Sequence, residues 1–453
     1  MTPRILILLA LFAAVPAWSQ ATGTGTVSTD EQPDSPLAND GMLTPPPVSG
    51  QAFPVLTGAE ERSNYLNLGV TANVAYDDNV EGGYTGVSKG DVIYSIWPSV
   101  SLNRDSLRVR EIFNYSPGFT FYQPSTIFNA SDQSATGDFQ YLMGTHTTLD
   151  LQDSFSRTSS LFNSPFTSTQ GGVTGGVPTQ TTGAVAAFAE RILNNATAQL
   201  SNQTGENGMV GLSAGYQQLD YPDTSEVQGL FNATSWEGSA FTTQRINSRQ
   251  YLGANVQHAR IVSYLNTTDN VMQRDNIFGF YTIYLRNLKQ STLSLSVTGG
   301  PEHYSITQYP QALLSKWTAS GTVSLGWQAH VSSASASFSH VVTGGGGLSG
   351  AYEEDGAQAS YRRRLSPTWD LSATALYSLN KSVTPQYAFS EPGGHTIAAG
   401  GSADHMLSKN LKFSIGYDWM DQSYKSVVAL SPLPFSNREY GSISYQFTRP
   451  IGR

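Results

Sequence analysis

The sequence predicts an all-β fold, a transmembrane antiparallel β-barrel of about eighteen strands. Three observations carry that expectation. Charged residues make up only 13% of the 453, about half the roughly 25% usual in a soluble domain, so a water-facing surface would be under-supplied. From Asn64 onward, segments of strand length alternate apolar and polar residues, the period-two pattern of strands whose two faces meet different surroundings. The connections between those segments alternate strictly between short and long. Barrels with short periplasmic turns and long extracellular loops show that alternation.

The elements follow in chain order. Arg4 precedes an apolar run, Ile5 to Val15, and Ala17-Trp18-Ser19 places small residues at a cleavage site. Residues 1–19 therefore read as a signal peptide. An uncleaved anchor is the competing reading, but the run falls short of the roughly 20 residues a membrane helix needs, and Pro16 closes it. Residues 20–62, with Pro45-Pro46-Pro47 and many Gly, Ser and Thr, hold too little apolar surface to offset ordering. They read as a flexible periplasmic leader, and residues 63–453 as the barrel.

In the first strand, 66–76, Leu66, Leu68, Val70, Ala72 and Val74 oppose Asn67, Gly69, Thr71 and Asn73. Strands follow at 91–102 and 107–122, the second placing Phe113, Tyr115, Phe119 and Phe121 opposite Arg110, Asn114 and Thr120. The same alternation places strands at 132–142, 146–156, 187–203, 208–219, 233–245, 249–262, 273–286 and 290–304. It continues through 315–329, 331–342, 352–364, 368–380, 396–407, 410–421 and 438–447. A sandwich would also alternate, but its outward face should be charged. Here the polar face is mostly Ser, Thr, Asn, Gln and Gly, which suits a wet lumen behind a lipid-facing wall.

Composition also excludes classes. No apolar run outside the N-terminus is long enough for a helical span. Zero cysteines remove thiolate metal sites, a cysteine nucleophile and disulfides. A net charge of −9 argues against nucleic acid as a partner. The seven histidines are scattered, without metal spacing. His330 and His340 sit among serines, but no Gly-x-Ser-x-Gly elbow accompanies them. Neither an enzyme nor a cofactor is expected; a barrel enzyme would need a Ser/His/acid set clustered at one mouth.

Strand one ends in Tyr76-Asp77-Asp78-Asn79-Val80, and after a loop comes Trp97-Pro98-Ser99-Val100-Ser101-Leu102. This arrangement resembles the first hairpin of β-barrel porins found beside exopolysaccharide-synthesis and exosortase-type loci in Gram-negative bacteria. The resemblance implies an outer-membrane location and adds polysaccharide as a candidate cargo and partner. It brings no catalytic residues. Ile443, Tyr445 and Phe447 resemble the C-terminal aromatic signal read by barrel-assembly machinery, although Gly441 is one place off the usual glycine and Thr448 to Arg453 extend past the last aromatic.

Candidate functional residues fall into three groups. Asp77, Asp78 and Asn79 cap a strand end, with calcium binding through hard oxygen ligands as the sharper alternative. Basic residues gather at the expected periplasmic turns, among them Arg108, Arg110, Arg362, Arg364 and Lys412, and acids such as Glu353, Glu354 and Asp355 gather at the outer mouth. Such a split would draw anions to one mouth and cations to the other. The longest connection, 157–186, has Phe162, Phe166, Gly171, Gly172, Gly175 and Gly176, with no charge beyond Arg157. It could enter the lumen cheaply, since it has no charge to desolvate, or remain a mobile surface loop. The expected function is a passive pore for small polar solutes or polysaccharide. The alternative is a non-conducting structural or adhesive barrel that displays its loops.

Overall fold

The computed structural model describes residues 64–80, 88–123, 125–126, 129–158, 190–222, 230–265, 269–288, 291–308, 311–344, 348, 351–383, 393–424 and 435–451. The signal peptide, the leader and nearly all of 157–186 lie outside them. The strands are β1 (Tyr65–Asp77), β2 (Asp91–Asp105), β3 (Val109–Tyr122), β4 (Ala130–Leu142), β5 (Thr147–Thr158) and β6 (Arg191–Gln203). Next come β7 (Gly208–Asp220), β8 (Asn232–Asn247), β9 (Gln250–Tyr264), β10 (Asp269–Leu288), β11 (Ser291–Gln308) and β12 (Gln311–Ala329). The last are β13 (Ser332–Thr343), β14 (Tyr352–Ser366), β15 (Trp369–Ser382), β16 (Gly394–Met406), β17 (Leu411–Ser423) and β18 (Phe435–Pro450).

Each strand pairs antiparallel with its sequence neighbours, and β18 returns to β1 to close one 18-stranded sheet. Closure removes both sheet edges, so the wall satisfies its own backbone groups. The seam runs from Tyr65↔Pro450 to Asp77↔Arg438. Thr448 to Pro450, which overrun the aromatic signal in the sequence, are therefore strand residues paired with Asn67, Leu66 and Tyr65.

Alternation sorts the side chains as expected. Leu68, Val70, Val74, Phe113, Phe119, Leu252, Val256, Ile277, Val323, Leu325, Ile443 and Phe447 are exposed on the outer face. The inner face has Asn67, Asn73, Ser95, Thr120, Gln199, Asn255, Thr282, Ser296, Thr322 and Ser378, all buried. Inner hydroxyls bond across neighbouring strands: Thr71 with Ser444 at 2.8 Å, Ser213 with Ser239 at 2.7 Å and Thr282 with Ser296 at 2.9 Å. Short side chains leave room for large ones. The inner-face Trp97 lies over Gly118, where a Cβ would come within 2.4 Å of the indole ring.

The largest departure from the expected boundaries is at the long-loop end of β10, β11 and β12, which reach 20, 18 and 19 residues. Within the loop expected over 305–314, every described residue is strand. Above the apolar belt the outward residues turn polar (Asp275, His303, Ser305, Ser315), so the alternation fades while the ladder continues. β18 likewise begins at Phe435, before the expected 438.

Candidate pore and constriction

The wall is not zipped to the same height everywhere. β11 and β12 pair from Ser291↔Ala329 to Gln308↔Gln311, whereas β12 and β13 pair only from Gln328↔Ser333 to Gly321↔His340. Beyond that point β13 leaves β12 and turns into the lumen. Val341 packs against Phe278 of β10. Val342 and Ala351 pack with Ile261, Met272, Tyr304 and Ile306, inner-face residues of β9, β10 and β11. Leu348, between β13 and β14, joins Leu219, Tyr221, Leu230, Tyr352 and Tyr424, with Leu193 beside them. A segment rooted on β13 and β14 thus reaches the wall formed by β6 and β7.

An ion pair holds the turned-in strand. Arg274 of β10 and Glu302 of β11 lie 3.6 Å apart with side chains 6% and 0% exposed. Arg274 Nη1 donates to Val342 O at 2.6 Å, Val342 N–H donates to Glu302, and Ser320 Oγ donates to the same carboxylate. A buried charge persists only where paired and hydrogen-bonded, and here the pair meets both backbone groups of one residue. Arg274 does not stand out in the sequence, and Glu302 reads there only as one of the acids beside the expected outer loops. One signal did exist: Val341 and Val342 are adjacent apolar residues, which breaks the alternation as expected where both faces are covered.

The expected mouth residues occupy different settings. Glu353, Glu354 and Asp355 are consecutive, so Glu354 lies on the opposite face from Glu353 and Asp355. Glu354 lies on the inner side, buried, and accepts from Ser378. Asp355 points outward, 2.6 Å from His340 Nδ1 and 3.1 Å from Lys381 Nζ. At the short-turn end, Arg362 and Arg364 face inward and both approach Asp370, at 3.5 and 3.7 Å. Lys412 is 3.4 Å from Asp404. Arg110 pairs across the ladder with Asp105 and Gln140. Arg108 lies in the turn before β3, its carbonyl accepting from Leu142 N–H. Acids therefore offset much of this basic ring.

Asp77, Asp78 and Asn79 come together at the top of the closing seam. Asp77 Oδ1 accepts from Asn79 N and Ser436 Oγ, at 2.9 and 2.7 Å. Asp78 takes Asn437 N and Nδ2 at 2.8 and 2.6 Å, and Asn79 Nδ2 donates to Phe435 O at 2.7 Å. These groups staple β1 to β18, the strand-end capping role. Asparagines do similar work elsewhere: Asn129 and Asn232 accept from the backbone N–H of Tyr122 and Tyr221. Phe162, Phe166, Gly171, Gly172, Gly175 and Gly176 lie outside the described residues.

One serine, histidine and acid do meet, at positions the sequence did not single out. Ser315 Oγ is 3.0 Å from His303 Nε2, and Asp275 is 3.8 Å from His303 Nδ1. That last distance exceeds a hydrogen bond, and Asp275 bonds His258 instead, at 2.7 Å. The carboxylate orients the wrong imidazole for a triad. His340 is bonded to Asp355 and meets no such serine among the described residues.

No family model matches the sequence, and no curated protein matches it. Solved structures do resemble it. OccK2 (OpdF) of Pseudomonas aeruginosa is 12% identical, covering 86% of this chain and 98% of that one, with a TM-score of 0.43. OpdO of the same organism is 10% identical over 85% and 97%, with a TM-score of 0.42. The outer membrane protein OprD is 12% identical over 89% and 97%, with a TM-score of 0.39. Likeness at this level carries no functional argument, and the barrel rests on the strand register itself. None of these structures ties the chain to exopolysaccharide or exosortase-type loci.

Proposed function

We propose that this protein is a passive pore for small polar solutes in the outer membrane of a Gram-negative bacterium. One observation carries the reading: a closed 18-stranded wall with an outward apolar belt and an inner face that is largely Ser, Thr, Asn and Gln. An exposed belt of Leu, Val, Ile and Phe of this extent is costly in water and stable against hydrocarbon. Barrels of sixteen to eighteen strands enclose an aqueous channel. The inner wall supports a hydrated lumen, since side-chain atoms of Asn67, Gln199, Thr243 and Asn276 have no protein hydrogen-bond partner among the described residues. Buried polar groups of that kind are satisfied by water. Export through residues 1–19 and assembly through the aromatic β18 remain part of the proposal. Passage of polysaccharide rests on the sequence resemblance alone.

The inward segment at Leu348 also favours a second reading, a plugged barrel whose loops act at the surface. Planar-bilayer recording of the purified protein separates the two. Discrete conductance steps support the pore; a folded, inserted barrel that never conducts overturns it.

A further inference from the structure

We propose that the outward face of β8 to β12, just above the apolar belt, is a docking site for a phosphorylated glycolipid of the surrounding outer leaflet. The inference goes beyond the pore reading and rests only on the barrel standing in a membrane with its long-connection end outward. Two ladder rows form the site. In the lower row His258, Asp275, His303 and Trp317 are successive partners. In the next row up, Trp236 pairs with Arg260. Arg260 carries the argument. Other outward cations at this rim are taken, Arg157 by Glu190 at 2.8 Å and Lys381 by Asp355 at 3.1 Å. Arg260 is exposed and meets no such carboxylate among the described residues. The acid one row below it, Asp275, is bonded to His258 at 2.7 Å. A guanidinium where hydrocarbon gives way to headgroups finds its best partner in phosphate, which matches its fork of donors.

The aromatic residues select a sugar-bearing partner. Trp236 and Trp317 are 59% and 62% exposed. Tryptophan is enriched at membrane interfaces, which accounts for the two rings but not for what stands beside them. The Trp236 ring has Tyr216 at 4.4 Å and Arg260 as its ladder partner, and the Trp317 ring lies 5.0 Å from His303. Flat apolar faces next to imidazole and carboxylate groups suit sugar rings edged with hydroxyls. His258 meets Asp275 through Nδ1, and its Nε2 has no partner among the described residues. A hydroxyl both donates and accepts, so it satisfies that nitrogen and the Asp275 carboxylate alike. From β8 to β12 the site crosses four strand spacings, about 19 Å. That is wider than one glycerophosphate headgroup and suits a headgroup of linked sugars. The acyl chains would run down the belt over the exposed Val256 and Ile277.

The probe is lipid A, a phosphorylated and acylated disaccharide, added to the folded barrel in detergent and counted as bound adducts by native mass spectrometry. The parent should retain lipid A at concentrations where phosphatidylglycerol leaves no adduct. Arg260→Gln should weaken lipid A binding about ten-fold, the scale of a lost charge-assisted hydrogen bond. Dephosphorylated lipid A should bind the parent that weakly and bind Arg260→Gln no worse. Trp236→Leu keeps an apolar group at the interface and should weaken both forms of lipid A alike. Arg260 is exposed, so Arg260→Gln should fold, and heat-modifiable migration on gels checks that it has. Equal retention of phosphatidylglycerol would reveal a general anionic-lipid surface and overturn the glycolipid site. Parental lipid A binding by folded Arg260→Gln would overturn it too. Conductance separates this outcome from the pore reading. A barrel that conducts but retains no lipid A keeps the pore and loses the site, and one that retains lipid A but never conducts keeps the site and loses the pore.

Discussion

Glu302 is fully buried on the inner wall, and its charge is tolerable because Arg274, Ser320 and the Val342 amide all address it. Truncating one member of such a pair leaves an uncompensated charge and typically costs about 3–5 kcal/mol. Arg274→Ala should therefore lower the unfolding free energy, read from denaturant titration, by that amount, while Arg274→Met/Glu302→Met should recover most of the loss. A single variant as stable as the parent would show that the pair is not dry. Asp370 makes a separate point at the short-turn mouth, where it faces both Arg362 and Arg364. Asp370→Asn should expose two guanidinium charges to the lumen and move the reversal potential toward anion preference. The shift should fade as salt rises, because exposed charges are screened over about 10 Å at 0.1 M. Asp355→Asn, by contrast, should leave selectivity unchanged, since that carboxylate points outward against His340 and Lys381.

At the scale of elements, two connections compete for the constriction. The segment between β13 and β14 reaches the far wall through Leu348, which is 1% exposed among Leu219, Tyr221 and Leu230. Leu348→Ser should undock it, at a cost set by the roughly 1.5–3 kcal/mol of burying a leucine, and should raise open-channel noise and mean conductance. Deleting Gly171 to Gly183 tests the other connection, and a rise there would add a second obstruction. If only Leu348→Ser alters the current, the pore is narrowed from β13 and β14 alone. The sequence pointed to 157–186 because length and lack of charge are visible there. The inward turn at Val341-Val342 was marked only by two adjacent valines. Whether a strand end follows the wall or leaves it depends on partners tens of residues away, here Arg274 and Glu302, and no local pattern encodes them.

For the molecule as a whole, orientation is the open consequence of the alternating connections. A tag inserted between Pro385 and Gln386 should be labelled on intact cells, and one between Ser366 and Pro367 should not. Labelling of the second in sealed cells would invert the barrel. Position 393 is a poor insertion point, because Gly393 adopts φ +95° and a Cβ there would come within 2.0 Å of Asn380 O. Only glycine holds that turn without strain.

The sequence by itself determined the eighteen strands, their antiparallel order and the inward or outward sense of most side chains. Those properties follow from a period of two and from local turn chemistry, which neighbouring residues encode together. The rims escaped it, because polar residues such as Ser305 and Ser315 remain in the ladder after the apolar alternation ends. The functional sites escaped it further. Asp77 and Asp78 meet Ser436 and Asn437 only because the barrel closes on itself, and Arg274 meets Val342 only because β13 departs from β12. Tertiary structure decided both, since closure and departure set distances between residues far apart in the chain.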